Sequence, residues 1–450
     1  MRMIACFSLV LAMLIARSAT AADQAAAVLP RPTPEQAAWQ DLELGLFYHF
    51  DISVFAENGE ENWKKLGHLD PNVYNPAKLD TDQWLETAQA MGARYTVFVA
   101  KHCTGFISWQ SDAYPYGVRQ SKWRGGKGDL VADYVASCRK VGIQPGTYCS
   151  MPANAHCNVF DNCTVEGATG PKDPRQVEYS RRAEKLVTEL WGNYGPFTYI
   201  WFDGGTLPPS QGGPDLVPIL KRLQPHAVTF QGPADSPAGN TRWVGNEDGQ
   251  VAYPSWSTVA QSGQAGAGDP SGRVWQPGEC DAPLRNHDWF WRPNREDKIY
   301  SLAELVEMYY RSVGRGCNLI LNANIDRDGL VPQADRKRLG EFGREIRRRF
   351  GKSIAETSGQ GPIVQLTLEK PTPIDHVIIM EQIGEGERIR QYVIESLNPD
   401  GQWKKLCGGQ SIGHKRIERF PPVEAGVIRI RVIESSGEPL IRKLAVYHVG

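Results

Sequence analysis

Three carboxyl groups stand out by their surroundings. Tyr199–Gly205 reads YIWFDGG, an apolar run that delivers Asp203 into a glycine turn, where a ligand can come close to the backbone. Glu247 lies in RWVGNEDG and Glu279 in WQPGECD, both polar stretches with an aromatic residue. Two carboxyl groups about 5–5.5 Å apart can break a glycosidic bond with retention, one ionised to attack the anomeric carbon and one protonated to release the leaving oxygen. Singly, each has an ordinary explanation: Asp203 as a cap after a strand, the two glutamates as surface groups or partners of Arg242 and Arg285. Order along the chain does not choose between the glutamates. Glu247 is favoured as the acid because Asp248 beside it would disfavour ionisation, provided both side chains approach one site. Glu279, with Arg285 six residues on, reads instead as an ionised positioning carboxylate.

Elements must bring such residues together. Leu44–Phe50, Tyr95–Ala100, Ile143–Cys149, Phe197–Phe202, Ala227–Gln231 and Asn318–Leu321 read as strands, alternating with helical stretches at Thr81–Met91, Leu130–Lys140, Ser180–Trp191, Asp215–Leu223 and Leu302–Val313. Each apolar run ends on a residue with chemistry: His49, Lys101 and His102, Tyr148, Asp203, Asn322. Residues from distant segments converge in this way at the mouth of a (β/α)₈ barrel. A doubly wound open sheet also puts ligands at strand ends, but no GxGxxG or GxxxxGK[ST] loop follows any strand.

The helix Gln333–Arg349 is followed by a small polar stretch and then by strand-like runs broken by Pro, Asn and Gly turns, with no helix among them. The expected organisation is therefore a leader at 1–21, a catalytic barrel at 22–352, a linker at 353–362 and a β-sandwich at 363–450. The leader follows from Met1-Arg2, the apolar run Ile4–Ile15 and the small residues Ser18–Ala22, and it implies export, secreted or periplasmic. No later segment is long and apolar enough for a membrane span.

A net charge of −1 in 450 residues offers no field to collect phosphates, which argues against nucleic-acid and anionic-membrane partners. The many aromatic residues suit the C–H faces of sugars. Of the nine cysteines, Cys6 falls in the leader. Cys157 and Cys163 flank a short polar loop and are the expected disulfide pair. No CxxC or HExxH spacing suggests a metal site.

The motifs then become specific. Leu44–Phe50 with His49, AKHCTGFISW at Ala100–Trp109, KGDL at Lys127–Leu130, WFDG at Trp201–Gly204 and GRGCNLILN at Gly314–Asn322 occur in the order and context of glycoside hydrolase family 29, the retaining α-L-fucosidases. The chain resembles that family over nearly its whole mature length, including SIGHKRI and RFPP in the second domain. Trp243–Glu247 and Glu279–Trp291 look most like the subgroup preferring α-1,3/1,4-linked fucose.

The resemblance implies Asp203 as nucleophile and Glu247 as acid/base, with His49, Trp63, His102, Tyr148 and Trp201 lining a fucose pocket. Glu279, Asp281, Arg285, His287, Trp289 and Trp291 are assigned to the mouth of the pocket or to aglycone sites. It implies a fucosylated oligosaccharide or glycoconjugate as substrate and no metal or organic cofactor. Two departures bear on sugar identity: His102-Cys103-Thr104 where the family usually has His-His-Asp, and Asn62 before Trp63 where it usually has Glu. They keep two rivals in view, a non-catalytic carbohydrate-binding barrel and a hydrolase of a related α-linked sugar such as an L-galactoside.

Overall fold

The computed structural model describes residues 29–450, so the expected leader and Cys6 lie outside the described residues. Eight parallel strands close into a barrel: β1 Leu44–His49, β2 Tyr95–Lys101, β3 Gln144–Cys149, β4 Tyr199–Trp201, β5 Val228–Phe230, β6 Asn240–Trp243, β7 Gly278–Pro283 and β8 Asn318–Asn324. Every strand neighbours the next in sequence, and β8 returns to pair with β1, Phe47 opposite Asn322. Period-two alternation sorts the side chains. Phe47, Val97, Val99, Tyr148, Trp201, Phe230 and Ile320 fill the interior, while Leu46, Tyr48 and Phe98 pack outward against the helices.

Six helices coat the barrel: α2 Thr81–Met91, α3 Leu130–Val141, α4 Pro174–Asn193, α5 Leu216–Leu223, α6 Leu302–Arg311 and α7 Gln333–Phe350. The start and stop signals of α2 and α3 are local. Asp80 and Asp129 accept the backbone N–H of Gln83 and Ala132, and Gly92 and Gly142 end the helices in the left-handed region. A short helix ahead of the barrel, α1 Pro34–Gln40, opens with a capping box between Thr33 and Gln36. Its Trp39 ring sits 5.2 Å from that of Tyr199 and closes the bottom of the interior.

Two barrel strands were not legible as apolar runs, β6 and β7, and among the described residues neither β5 nor β6 is followed by a covering helix. Residues 244–277 cover that flank instead, backed by the second domain. There Glu387 accepts the backbone N–H of Ser257 at 2.9 Å and Tyr253 Oη donates to the carbonyl of Ser411.

The second domain is an antiparallel β-sandwich of strands β9 Ala355–Gln360, β10 Ile363–Glu381, β11 Ile389–Leu397, β12 Trp403–Gly409, β13 Arg416–Ser435 and β14 Leu440–Tyr447. Residues 353–362, expected as a linker, contain β9, which pairs with β14. Pro371-Thr372-Pro373 does not separate two strands. It falls where β10 and β13 shift register, and the two long strands continue past it. Val377 and Ile379 enter the sandwich core, whereas the alternating Ile378 and Met380 face the barrel with Ile417, Ala445 and Tyr447. The Tyr447 ring meets Phe350 of α7, and the Tyr310 hydroxyl donates to His376 Nε2 at 2.8 Å.

The expected Cys157–Cys163 disulfide is not formed; both thiols are free. Cys157 Sγ faces the Arg182 guanidinium at 3.7 Å, while Cys163 is buried in its turn. Gln176 of α4 restrains the loop in place of a disulfide, donating to the carbonyl of Cys163 and accepting from the N–H of Val165.

Because Met380 fills the seam between the domains, Met380→Ala should lower unfolding free energy by about 2–5 kcal/mol in denaturant melts. A loss below about 0.5 kcal/mol would mean that the seam contributes little to folding.

Candidate active site

At the C-terminal ends of the strands lies a cavity of about 120 Å³, the scale of one small sugar ring. β1 contributes Phe47 and His49, β3 Tyr148, and β4 Trp201 with Asp203 just beyond its end. His102 follows β2, Glu247 follows β6, and Asp281 comes from β7.

The floor is aromatic and tightly fixed. Trp201 stacks on Phe230 at 3.6 Å with an interplanar angle of 4°, and Phe47 meets its edge at 4.8 Å. The indole N–H donates to Glu279 at 2.8 Å. Glu279 also accepts from the hydroxyls of Tyr95 and Tyr199, both at 2.8 Å. Burial pushes its carboxyl up to about 7 against the pull of those three donors. Glu279 therefore lies beneath the floor and does not reach the cavity.

Asp203 sits at φ 50°, in the left-handed region that L-residues other than Asn, Asp and His seldom adopt. The chain turns there into Gly204 and Gly205, at φ 76° and 90°, and Gly204 N–H donates to the Gln231 side chain at 2.6 Å. The Tyr148 hydroxyl donates to Asp203 Oδ2 at 2.7 Å, leaving Oδ1 for the cavity. Burial, and the nearby charge of Glu247, push the Asp203 carboxyl above the usual range, while the Tyr148 hydrogen bond opposes them.

His49 Nδ1 is 2.8 Å from Asn322 Oδ1, and Asn322 Nδ2 donates to the carbonyl of Trp289. Burial holds both His49 and His102 down to about 3, so both rings are neutral. With Nδ1–H engaged by Asn322, Nε2 of His49 is left as an acceptor for a hydroxyl. His102 stacks on Tyr148 with centroids 5.6 Å apart.

The opposite wall is carried by Trp289. Its indole N–H donates to Glu247 Oε2 at 2.9 Å, and its backbone N–H donates to Glu60 at 3.1 Å. Glu60, Trp289, Phe290 and Phe47 line the cavity. Of these, Trp289 alone was read from the sequence as a site residue.

Several residues expected at the site lie elsewhere. Trp63 begins a 3-10 turn with its ring 6.2 Å from Phe160, and Glu60 of the same segment reaches the cavity in its place. Arg285 is fully buried and bonded through Nε and Nη2 to Asp335 of α7, away from the cavity. Trp291 faces an adjoining cleft under the Arg327 guanidinium, and His287 is exposed. Asp248 is exposed outside the cavity, so it is not the acid facing Glu247. Cys103 and Thr104 do not line the cavity either: Thr104 donates to the buried Asp51 at 2.6 Å, and burial pushes the Cys103 thiol up to about 12.

Arg285→Ala should therefore act on the fold. It strands Asp335 as an uncompensated buried charge and should cost about 3–5 kcal/mol in a thermal or denaturant melt. A variant with wild-type stability but impaired substrate binding would return Arg285 to the site.

Comparison with known proteins gives a consistent picture. The sequence profile of the family described as Alpha-L-fucosidase matches residues 15–349. Alpha-L-fucosidase 1 of Arabidopsis thaliana is 28% identical over 93% of this chain and 88% of its own. A crystal structure from Bacteroides thetaiotaomicron, provisionally described as an α-L-fucosidase, superposes with a TM-score of 0.89 and 42% identity. It covers 94% of this chain and all of its own, so the likeness includes the sandwich. A glycoside hydrolase 29 family member from a rumen bacterium superposes with a TM-score of 0.79 at 29% identity, over 94% of this chain and 78% of its own.

Proposed function

The chain belongs to the α-L-fucosidase family, glycoside hydrolase family 29, and hydrolyses α-L-fucosides; from that premise we propose that it does so with retention, through a fucosyl-enzyme on Asp203. The observation that supports this most directly is the pairing of Asp203 and Glu247 on one cavity of sugar-ring size, the first oriented by the Tyr148 hydroxyl and the second by the Trp289 indole. Asp203 Oδ1 attacks the anomeric carbon while Glu247 gives its proton to the leaving oxygen. Glu247 then removes a proton from the water that releases fucose.

The neutral histidines suit sugar hydroxyls: His49, with Nδ1–H on Asn322, offers an acceptor at Nε2, and His102 a neutral imidazole with one donor and one acceptor. The apolar edges of Phe47 and Phe290 suit the methyl group of a 6-deoxy sugar. An aryl α-L-galactoside, whose hydroxymethyl replaces that methyl, should be turned over with a kcat/KM lower by about 10²-fold. Equal rates would favour the L-galactoside reading.

The finer parts of the proposal are a preference for α-1,3/1,4-linked fucose in branched glycans and export of the chain. The first is supported by the subgroup-like segments Trp243–Glu247 and Glu279–Trp291, the second by the leader-like residues Met1–Ala22. Release of fucose from oligosaccharides of defined linkage, followed by chromatography, tests the linkage.

Asp203→Gly should remove hydrolysis by on the order of 10⁴-fold or more with an unchanged melting temperature. A slow fluorinated fucosyl substrate should label the peptide that contains Asp203. Substantial turnover in the folded variant would discard the nucleophile assignment, and binding without turnover in the wild-type protein would favour the non-catalytic barrel. Glu247→Ala should slow poor leaving groups by about 10²–10⁴-fold and spare activated aryl fucosides. Azide should then restore turnover as an α-fucosyl azide, because it displaces Asp203 from the β-linked fucosyl-enzyme.

A further inference from the structure

A groove of about 590 Å³ begins beside the catalytic cavity and is no part of the site described above. One side of it is the turn that follows Asp203. Gly204 and Gly205 line the groove there, together with Gln231, whose side chain accepts the Gly204 N–H at 2.6 Å. Leu207, Leu216 and Val217 add apolar surface. Strand β5 ends at Phe230, and residues 231–235, which take the place of a helix before β6, line the groove as well.

A second side leads to the segment of Glu247. Ser262 and Gly263 line the groove, and their loop runs on to Gly266, whose N–H donates to the carbonyl of Trp243 at 3.1 Å. Ala265 lies in van der Waals range of Gly245, two residues before Glu247: a Cβ on that glycine would stand 3.9 Å from its methyl. The groove is thus bordered both by the turn of one catalytic carboxyl and by a loop packed on the segment of the other. Measured against the 120 Å³ cavity, which takes one small ring, it has room for more than one further ring. Its charges are of one sign. Asp215 and Asp235 line it, both exposed, and no lysine, arginine or histidine among the described residues does.

Resting on the reading of Asp203 and Glu247 as nucleophile and acid/base, we propose that this groove receives the sugars of the leaving glycan, and that it favours chains uncharged there over chains bearing a carboxylate or sulfate. The bond that breaks lies between the two carboxyls, so the chain beyond it has to leave past one of them. Glu247 is exposed where it lines the cavity, as a group that must meet an incoming glycan has to be. Within the groove Gln231, Ser262 and the two aspartates supply donors and acceptors for hydroxyls, and the leucines an apolar face for C–H groups. An anionic substituent would enter against two like charges with no cation in the lining to offset them.

Ala234→Trp puts an indole into the groove without touching a catalytic group. Two substrates are compared, an aryl α-L-fucoside, which has no sugar to place there, and a neutral branched fucosylated tetrasaccharide. kcat/KM should fall about 10-fold or more for the tetrasaccharide and stay within about twofold for the aryl fucoside, because only the first draws binding energy from the groove. Ser262→Trp should give the same split and serves if the first variant folds poorly in a thermal melt. No loss on either substrate, or equal loss on both, in a folded variant would overturn the groove as a glycan site. For the wild-type protein, the same tetrasaccharide carrying a carboxylate or sulfate on its leaving part should be cleaved about 10-fold more slowly at low ionic strength, a gap that narrows with added salt and in Asp215→Asn/Asp235→Asn. Equal rates at low salt would overturn the charge preference. The underlying assignment is judged separately, on the aryl fucoside: wild-type turnover that Asp203→Gly abolishes upholds it whatever the groove variants do, and its persistence in Asp203→Gly removes the premise.

Discussion

One carboxyl inside the barrel, that of Glu279, binds together three side chains from two other strands. It accepts the hydroxyls of Tyr95 on β2 and Tyr199 on β4 and the indole N–H of Trp201 on the same strand. A buried acid with that many donors is costly to disturb, since removing it would strand three polar groups where no water reaches. The geometry above follows from it. Trp201 cannot rotate without losing its partner, Phe230 lies flat against Trp201, and Tyr148 stacks 6.2 Å away with its hydroxyl on Asp203. A residue that never touches the cavity thus fixes its aromatic floor and, through Tyr148, the orientation of the Asp203 carboxyl.

The mouth is held differently. Asp203 adopts a left-handed backbone conformation between an aromatic strand and two glycines, and its neighbour's N–H is anchored by Gln231, itself at φ 51°. Across the cavity Trp289 is pinned through Glu60, Asn322 and Asn324 before it reaches Glu247. The Asp203 carboxyl is thus placed by a left-handed turn at a strand end and that of Glu247 by a side-chain hydrogen bond on a loop. Both devices hold a carboxyl at a cavity with no lysine or arginine in its lining, whose charge would favour the ionised form of either acid.

What could be read from the sequence follows the same division. Strands whose inward and outward faces are both apolar, such as Leu44–His49 and Tyr95–Lys101, announce themselves as continuous runs. Asn240–Trp243 and Gly278–Pro283 do not, because Thr241, Glu279 and Asp281 are polar groups used inside the barrel and Arg242 is buried beside them. The chemistry that makes these strands interesting is what hides them. Asp203 was legible because an apolar strand ends on it, and His49, His102 and Tyr148 for the same reason. Arg285 was misplaced because one sequence cannot tell a cation beside a substrate from one neutralised by Asp335 fifty residues away. Trp63 was expected at the pocket where Glu60, three residues earlier, lies instead, and Asp248, expected to share a site with Glu247, is exposed outside the cavity. Residues 353–362 looked like a spacer because an edge strand with one face in solvent has the composition of a spacer.

The pairing of Leu44–His49 with Asn318–Asn324 closes the barrel between the first and last of its strands. During synthesis at about 5–20 residues per second, the far edge of the first strand waits on the order of 15–60 s before its partner exists. Through that interval the nascent chain carries an open parallel edge with an apolar face on each side, a surface on which strands of other chains can add. Ribosome-paced assembly therefore cannot complete this catalytic domain strand by strand. The half-built sheet has to be kept apart from its neighbours until nearly three quarters of the polypeptide has emerged, and its yield in a foreign host should depend more on holdase supply than on the melting temperature of the finished molecule.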